Sequence, residues 1–341
     1  YPLAPMQQGM LFHSLYQPAD GAYVNQMRLD IAGLDVERFR QAWQAALDHH
    51  PILRSSIHWQ GLEHAHQLVH RQLQLPLTLL EAGEHDLDQL AAAEGALGFD
   101  LARAPLLRLS LVPTGSGDWH LIYTSHHILL DGWSNASLLA EVLGRYAGIQ
   151  PSAAPGRYRD YLAWLQGRSA EASKAYWQVN LAALEQPTLL AESLRRPAHG
   201  SGYGQLLAEL EPVQTEALKA FARAHKATLN TLLQGAWAVL LQRYSGQACV
   251  AFGATVAGRP AELPGIDAQL GLFINTLPIV CQPHPQHSVA QWLQALQSHN
   301  LALREFEHVP LYEIQAWAGQ QGNALFDSLL VFENFPVAAA L

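Results

Sequence analysis

The chain changes hydrophobic period many times, and each change marks an element. Pro5 opens a stretch in which Met6, Met10, Leu11 and Leu15 recur at helical spacing. Residues 23–31 alternate apolar and polar, the pattern of a half-buried strand. Asp35 is an expected N-cap, Phe39, Trp43 and Leu47 form a helical stripe, and Pro51 stops that helix near His49 and His50. Short strands are predicted at 57–59 and 67–70 and a helix over 87–97. Strands follow at 105–113 and 119–126, then a helix over 134–146. This order predicts an α/β fold layered around one sheet.

The second half repeats the mixture without a clean internal repeat. Residues 148–156 are rich in Ala, Pro and Gly and predict a loop, and helices are predicted over 158–165 and 170–184. Between 185 and 204 the composition turns to Pro, Gly, Ser and Arg, which places a boundary between lobes 1–184 and 185–341. A strand is predicted at 206–210, and helices from Pro212 to His225 and, opened by Thr228, over 232–244. A strand over 249–256 ends at Gly258-Arg259-Pro260. Then come a strand over 270–280, a helix over 288–304 and a strand over 326–332.

The 341 residues are 49% hydrophobic and 14% charged, enough for packed cores in two lobes. A net charge of −9 argues against nucleic acid as a partner, because phosphate binding needs a basic face. The longest apolar runs, such as 232–241, are too short for a bilayer, so no membrane partner is expected. The opening Tyr1-Pro2-Leu3 has no leader pattern, and both ends read as cut from a longer polypeptide. Cys249 and Cys281 fit reduced thiols and a cytoplasmic location. No GxGxxG, P-loop, HExxH or paired CxxC occurs, so neither a nucleotide fold nor a metal site is expected.

The candidate chemistry sits in Ser125-His126-His127-Ile128-Leu129-Leu130-Asp131-Gly132-Trp133-Ser134. Two histidines end a strand, apolar residues pack the loop, and a glycine permits close backbone approach. Imidazole exchanges protons near neutral pH, and a packed loop holds its ring in one orientation. Adjacent side chains on a strand point to opposite faces, so one of the two rings is expected to face away from the reacting side. Asp131, set among leucines, needs a cation if it is buried.

The motif HHxxxDG after a strand resembles the active-site motif of condensation domains of nonribosomal peptide synthetases, in the chloramphenicol acetyltransferase-like superfamily. Four further stretches resemble that family. Residues 1–13 look most like the subgroup that receives a D-configured donor; His50-Pro51-Ile52-Leu53-Arg54 and Gly271 to Pro278 are similar to two further motifs. Residues 326–336 are similar as well. The resemblance implies two chloramphenicol acetyltransferase-like lobes forming a pseudo-dimer. Family members continue with another strand and helix, which implies an incomplete second lobe here.

The resemblance also implies a reaction: aminolysis of an upstream carrier's peptidyl thioester by the amine of a downstream aminoacyl thioester. No cofactor is expected to bind this domain; carrier domains deliver phosphopantetheine arms, and an adenylation domain is a further expected partner. His127 is expected to orient the amine and take its proton. Gly132 is expected at the substrate, with its N–H toward the developing oxyanion. His126, Asp131 and Arg54 are expected to support the site, the resemblance implying that Arg54 pairs with Asp131. Trp133, Ser134, Asn275 and Met10 are expected along a substrate tunnel between the lobes. For Met10, core filling is the alternative; for Asn275, a satisfied core amide.

Related functions differ in identifiable residues. Epimerisation domains add a glutamate for which no matching motif occurs here, and heterocyclising domains replace the histidines by aspartates. Small-molecule acyltransferases of the superfamily lack the stretch from Gly271 to Pro278. Recruitment-type relatives lose the second histidine, which is present as His127.

Overall fold

The computed structural model describes residues 1–16, 21–115, 117–150, 156–194, 204–319 and 323–333. Parts of the predicted loop at 148–156, of the boundary at 185–204 and of the family-like stretch at 326–336 lie outside the described residues. So does the chain end on which the incomplete second lobe was expected.

The backbone divides into two compact units. The first holds residues 1–168 and 257–274, and the second holds 169–256 and 275–333. The division therefore falls earlier than the boundary at 184 read from composition. Helix 170–181 carries Trp177 and Leu181 into the second core, so packing assigns it there. The stretch 257–274 belongs with the first unit although its neighbours on both sides belong to the second, which no composition shift signals.

In the first unit, α1 spans Pro5–Tyr16, β1 Val24–Ile31, α2 Val36–His49, β2 Ser55–His58, β3 His66–Val69 and β4 Leu77–Leu79. Then come α3 Leu87–Ala96, β5 Leu107–Pro113, β6 Trp119–His126, α4 Gly132–Tyr146 and α5 Tyr158–Gln166. A four-stranded sheet runs β1-β6-β5-β4, and β2 pairs with β3 separately. β4, absent from the sequence expectation, is short and pairs parallel with β5. β6 is central and buried over all but its first residue, so both faces are covered and its alternation is lost. Asp35 Oδ1 caps α2 by accepting from Arg38 N, and Phe39, Trp43 and Leu47 are buried as the stripe predicts.

In the second unit, α6 spans Ala170–Leu181, α7 Leu190–Ser193, α8 Pro212–Ala224, α9 Leu229–Ser245 and β7 Val250–Val256. β8 follows at Asn275–Cys281, α10 at Val289–Leu303, α11 at Leu311–Trp317 and β9 at Leu329–Leu330. The sheet order is β8-β7-β9. Thr228 caps α9 as expected, and Gly246 ends it at φ 72°. Three strand predictions change. Residues 206–210 are exposed and form no ladder: the apolar pattern is present, but a strand exists only with a partner. The strand predicted over 270–280 begins at Asn275, because 270–274 belong to the other unit. The strand predicted over 326–332 contracts to β9.

Candidate active site

The site grows from the end of β6. His126 closes that strand, His127 opens the turn after it, and Leu129 N donates to His126 O at 3.2 Å to fold the chain back. The adjacent imidazoles are fixed in opposite tautomers. His127 Nδ1 lies 2.9 Å from Leu130 O. A carbonyl only accepts, so Nδ1 carries the proton and Nε2 of the neutral ring keeps a free lone pair. His126 Nδ1 instead accepts from Ile128 N at 3.1 Å, which puts the His126 proton on Nε2. Burial first, and then the charge of His127, push the His126 pKa down to about 4. His126 is therefore a buried neutral residue beside the Tyr23 and Phe99 rings, both with centroids 6.2 Å away. His127 is half-buried, and its backbone N–H donates to Tyr23 O at 2.8 Å.

Asp131 is buried and forms the N-cap of α4, its Oδ1 accepting from Ser134 N at 2.8 Å. The helix thus starts at Gly132, two residues before the expected Ser134. Gly132 N–H is a first-turn amide, a class of donor with no intrahelical acceptor, at the positive end of the helix dipole. It sits five residues after the imidazole that presents a lone pair.

The cation on Asp131 is Arg259, not Arg54. Arg259 Nη2 donates to Asp131 Oδ1 at 3.3 Å and to Ser134 Oγ at 2.8 Å. Its Nη1 donates to Ile266 O at 2.6 Å and Gln269 O at 3.0 Å, and its guanidinium lies 4.1 Å from the Phe273 ring centroid. Asp131 Oδ2 accepts from Phe273 N at 3.0 Å. Arg54 spends its donors on backbone carbonyls: Nε on Leu47 O, Nη1 on His70 O and Arg71 O, Nη2 on Asp48 O. It joins the end of α2 to the chain after β3, so its expected pairing with Asp131 is corrected. Arg259 was missed because it lies 128 residues from its partner; its signal was a charge set in a Gly-Arg-Pro turn after a buried strand.

Three of the expected tunnel residues are placed otherwise. Ser134 is fully buried and acts as a hub: its hydroxyl donates to Gly271 O at 2.8 Å and accepts from Gly271 N at 3.1 Å and from Arg259. Met10 is buried in the first core, which is its core-filling alternative. Asn275 gives both amide protons to the second unit's backbone, at 2.8 Å to Glu307 O and 2.7 Å to Val309 O, and accepts from Thr276 N. It is a satisfied structural amide. Trp133 is half-buried, with Nε1 donating to Asp267 O at 3.0 Å.

Glycine explains how the segment 257–274 closes on Asp131. Gly258 has φ +62°, and a side chain there would put a Cβ 1.7 Å from Phe273 O. At Gly271 a Cβ would meet the Tyr158 ring at 2.3 Å, and the Tyr158 hydroxyl donates to Leu272 O.

Among the described residues, one group has metal-ligating atoms close together: His49, His50 and Glu141, within 4.8 Å of one another. Both Glu141 oxygens are already engaged, Oε2 with His50 Nε2 at 2.7 Å and Oε1 with Arg145 Nε at 2.7 Å. Burial alone would raise the Glu141 pKa, but His50 and Arg145 hold it down to about 2. A guanidinium on the same carboxylate opposes a further cation, and the group acts as a staple between α2 and α4.

The family model that matches this chain, over residues 1–340, is described as Condensation domain. The chain belongs to the condensation-domain family. It is 39% identical to a linear gramicidin synthase of Brevibacillus parabrevis, over 100% of this chain and 5% of that protein. The condensation domain thus spans a small part of its curated relatives. Its structure matches the first condensation domain of the calcium-dependent antibiotic synthetase with a TM-score of 0.75, at 21% identity, covering 99% of this chain and 82% of that one. The X-domain of teicoplanin biosynthesis, in complex with OxyB, matches at 0.78, with 22% identity over 98% of this chain and 79% of that one. These likenesses establish the chloramphenicol acetyltransferase-like α/β fold. Condensation domains of nonribosomal peptide synthetases are acyltransferases that form amide bonds.

Proposed function

We propose that this condensation domain joins an upstream peptidyl or aminoacyl thioester to the amine of a downstream aminoacyl thioester, with His127 as the residue that meets the amine. The observation that carries this is the His127 tautomer. With Nδ1–H committed to Leu130 O, Nε2 is the nitrogen left to accept a hydrogen bond. The attacking nitrogen forms the new C–N bond while its N–H faces Nε2. The tetrahedral carbon's oxygen gains charge, and the Gly132 amide at the start of α4 is the donor assigned to it. The C–S bond then breaks and the thiol leaves with the proton.

The energetics favour positioning over strong base catalysis. A free α-amino group titrates near ~7.7–8.0, so roughly a tenth is already neutral at pH 7. Aligning two tethered reactants is worth ~7–11 kcal/mol, against roughly 10²–10⁴-fold for a positioned acid or base. His127 therefore serves first to orient and second to take the proton. Trp133 borders the acceptor path in this proposal. Upstream and downstream carrier domains bring the phosphopantetheine-bound substrates, and an adenylation domain neighbours the chain; the likeness to multidomain synthetases supports both. A cytoplasmic setting agrees with two free buried cysteines and with the absence, among the described residues, of a helix able to cross a membrane. The opening motif favours a D-configured donor.

The test is single-turnover amide formation between two loaded carrier domains. Wild-type protein is expected to give product, and His127→Ala to lose most of the rate while keeping its melting temperature. A folded wild-type protein that holds loaded carriers without product would favour a partner-binding role of the kind the X-domain–OxyB complex represents.

A further inference from the structure

Gln7 is fully buried in α1, 121 residues before the loop that carries His127, yet its side chain reaches that loop. Nε2 donates to Ile128 O at 3.1 Å, while Oε1 accepts from Ala4 N at 3.0 Å and from Gln67 Nε2 at 3.3 Å. Gln67 is buried as well and donates to Pro2 O at 3.1 Å. The amide thus ends a chain of hydrogen bonds from the first residues and β3 to one peptide of the active-site loop.

The peptide it holds is the important one. Ile128 O lies between His127 and Leu130, whose carbonyl fixes the His127 tautomer. The turn is also shaped by Ile128 N and Leu129 N, which donate to His126, and by Asp131 N, which donates to Gly271 O. Among the described residues, Gln7 is a side chain from outside the motif that bonds to the turn between these anchors. Without its donor, Ile128 O becomes a buried unpaired carbonyl, and the turn relieves that cost by rotating the peptide. Rotation carries Leu130 O off Nδ1 and frees the ring to exchange tautomers.

We propose that Gln7 is a positioning residue for amide formation: its amide holds the 128–130 turn so that Leu130 O stays on His127 Nδ1 and Nε2 stays the accepting nitrogen. The claim rests on the proposed role of His127 for its kinetic consequence, but not for its structural one.

The test uses the full chain with Gln7→Leu and Gln7→Glu, and reads both rate and tautomer. Gln7→Leu is expected to lower the single-turnover rate per folded molecule roughly 10- to 100-fold, the scale of a small misplacement, with KM for the loaded acceptor carrier little changed. ¹⁵N spectra of labelled histidine, assigned through a His127 variant, should show the Nδ1–H form in wild type and a mixture in Gln7→Leu. Gln7→Glu has the same shape and supplies the control. Its protonated carboxyl donates to Ile128 O and accepts from Ala4 N; its carboxylate has no proton to give. The rate relative to wild type should therefore fall as pH rises through that carboxyl's titration, which burial moves upward. A folded Gln7→Leu with wild-type rate and tautomer would overturn the proposal, as would a pH-independent ratio between Gln7→Glu and wild type. If Gln7→Leu does not fold, the pH dependence of the Gln7→Glu rate relative to wild type decides. If wild type forms no amide, the functional reading fails, and the tautomer spectra still judge Gln7.

Discussion

Arg259 Nη2 sits 3.3 Å from Asp131 Oδ1, and the two side chains are almost completely buried. The pair holds α4 against the segment 257–274 and does so together with the Ser134 hydroxyl. Asp131 is thereby a structural anchor whose charge is answered inside the first unit.

Removing either partner strands a buried charge, at a cost of roughly 3–5 kcal/mol. Arg259→Met and Asp131→Asn are each expected to lower stability in urea titrations, and the double variant to recover part of the loss. Arg54→Met is expected to destabilise independently, by freeing carbonyls at the end of α2, and to add to Asp131→Asn without coupling. Coupling of Arg54 to Asp131, and none of Arg259, would reverse the assignment.

His127→Ala should reduce amide formation by about 10²–10⁴-fold with an unchanged urea midpoint. His126→Ala should do the opposite in kind. It removes a buried ring from between Tyr23 and Phe99 and frees Ile128 N, so the main loss is in stability.

Acid should weaken the fold in two stages. The His126 pKa lies at about 4, below its ordinary 6.5, so the fold prefers the neutral ring. That contribution is complete above pH 6.5 and is lost as pH falls toward 4. At about 1.4 kcal/mol per pH unit it amounts to at most about 3.5 kcal/mol. Glu141 is held at about 2, below its ordinary 4.5, so its contribution is complete above pH 4.5 and is lost as pH falls toward 2. Melting temperature against pH should flatten over the upper window in His126→Asn and over the lower one in Glu141→Gln. Parallel curves for all three proteins would contradict both assignments.

Asn275→Leu should cost roughly 1–3 kcal/mol, because Glu307 O and Val309 O lose their donor. Its substrate range should stay that of wild type. Trp133→Ala should show the reverse, with a broader set of accepted aminoacyl carriers and a small change in melting temperature. A competition assay with several loaded acceptors distinguishes the two.

Local pattern determined much of this protein. The stripe of α2, the caps at Asp35 and Thr228, and the strand-to-helix passage through His126, His127 and Asp131 follow from residue spacing, since each depends on neighbours within a few turns. The chemical motif was legible for the same reason: its residues are contiguous. Tertiary structure alone decided the partners. Arg259 rather than Arg54 answers Asp131, Gln7 reaches Ile128 O, and Ser134 turns inward to Gly271. It also decided that residues 206–210 form no strand, that 270–274 leave the strand at Asn275, and that the helix at 170–181 joins the second core. The reason is common to all of these. A hydrogen bond, an ion pair or a strand ladder needs a second group, and when that group lies dozens of residues away, only the folded chain selects it.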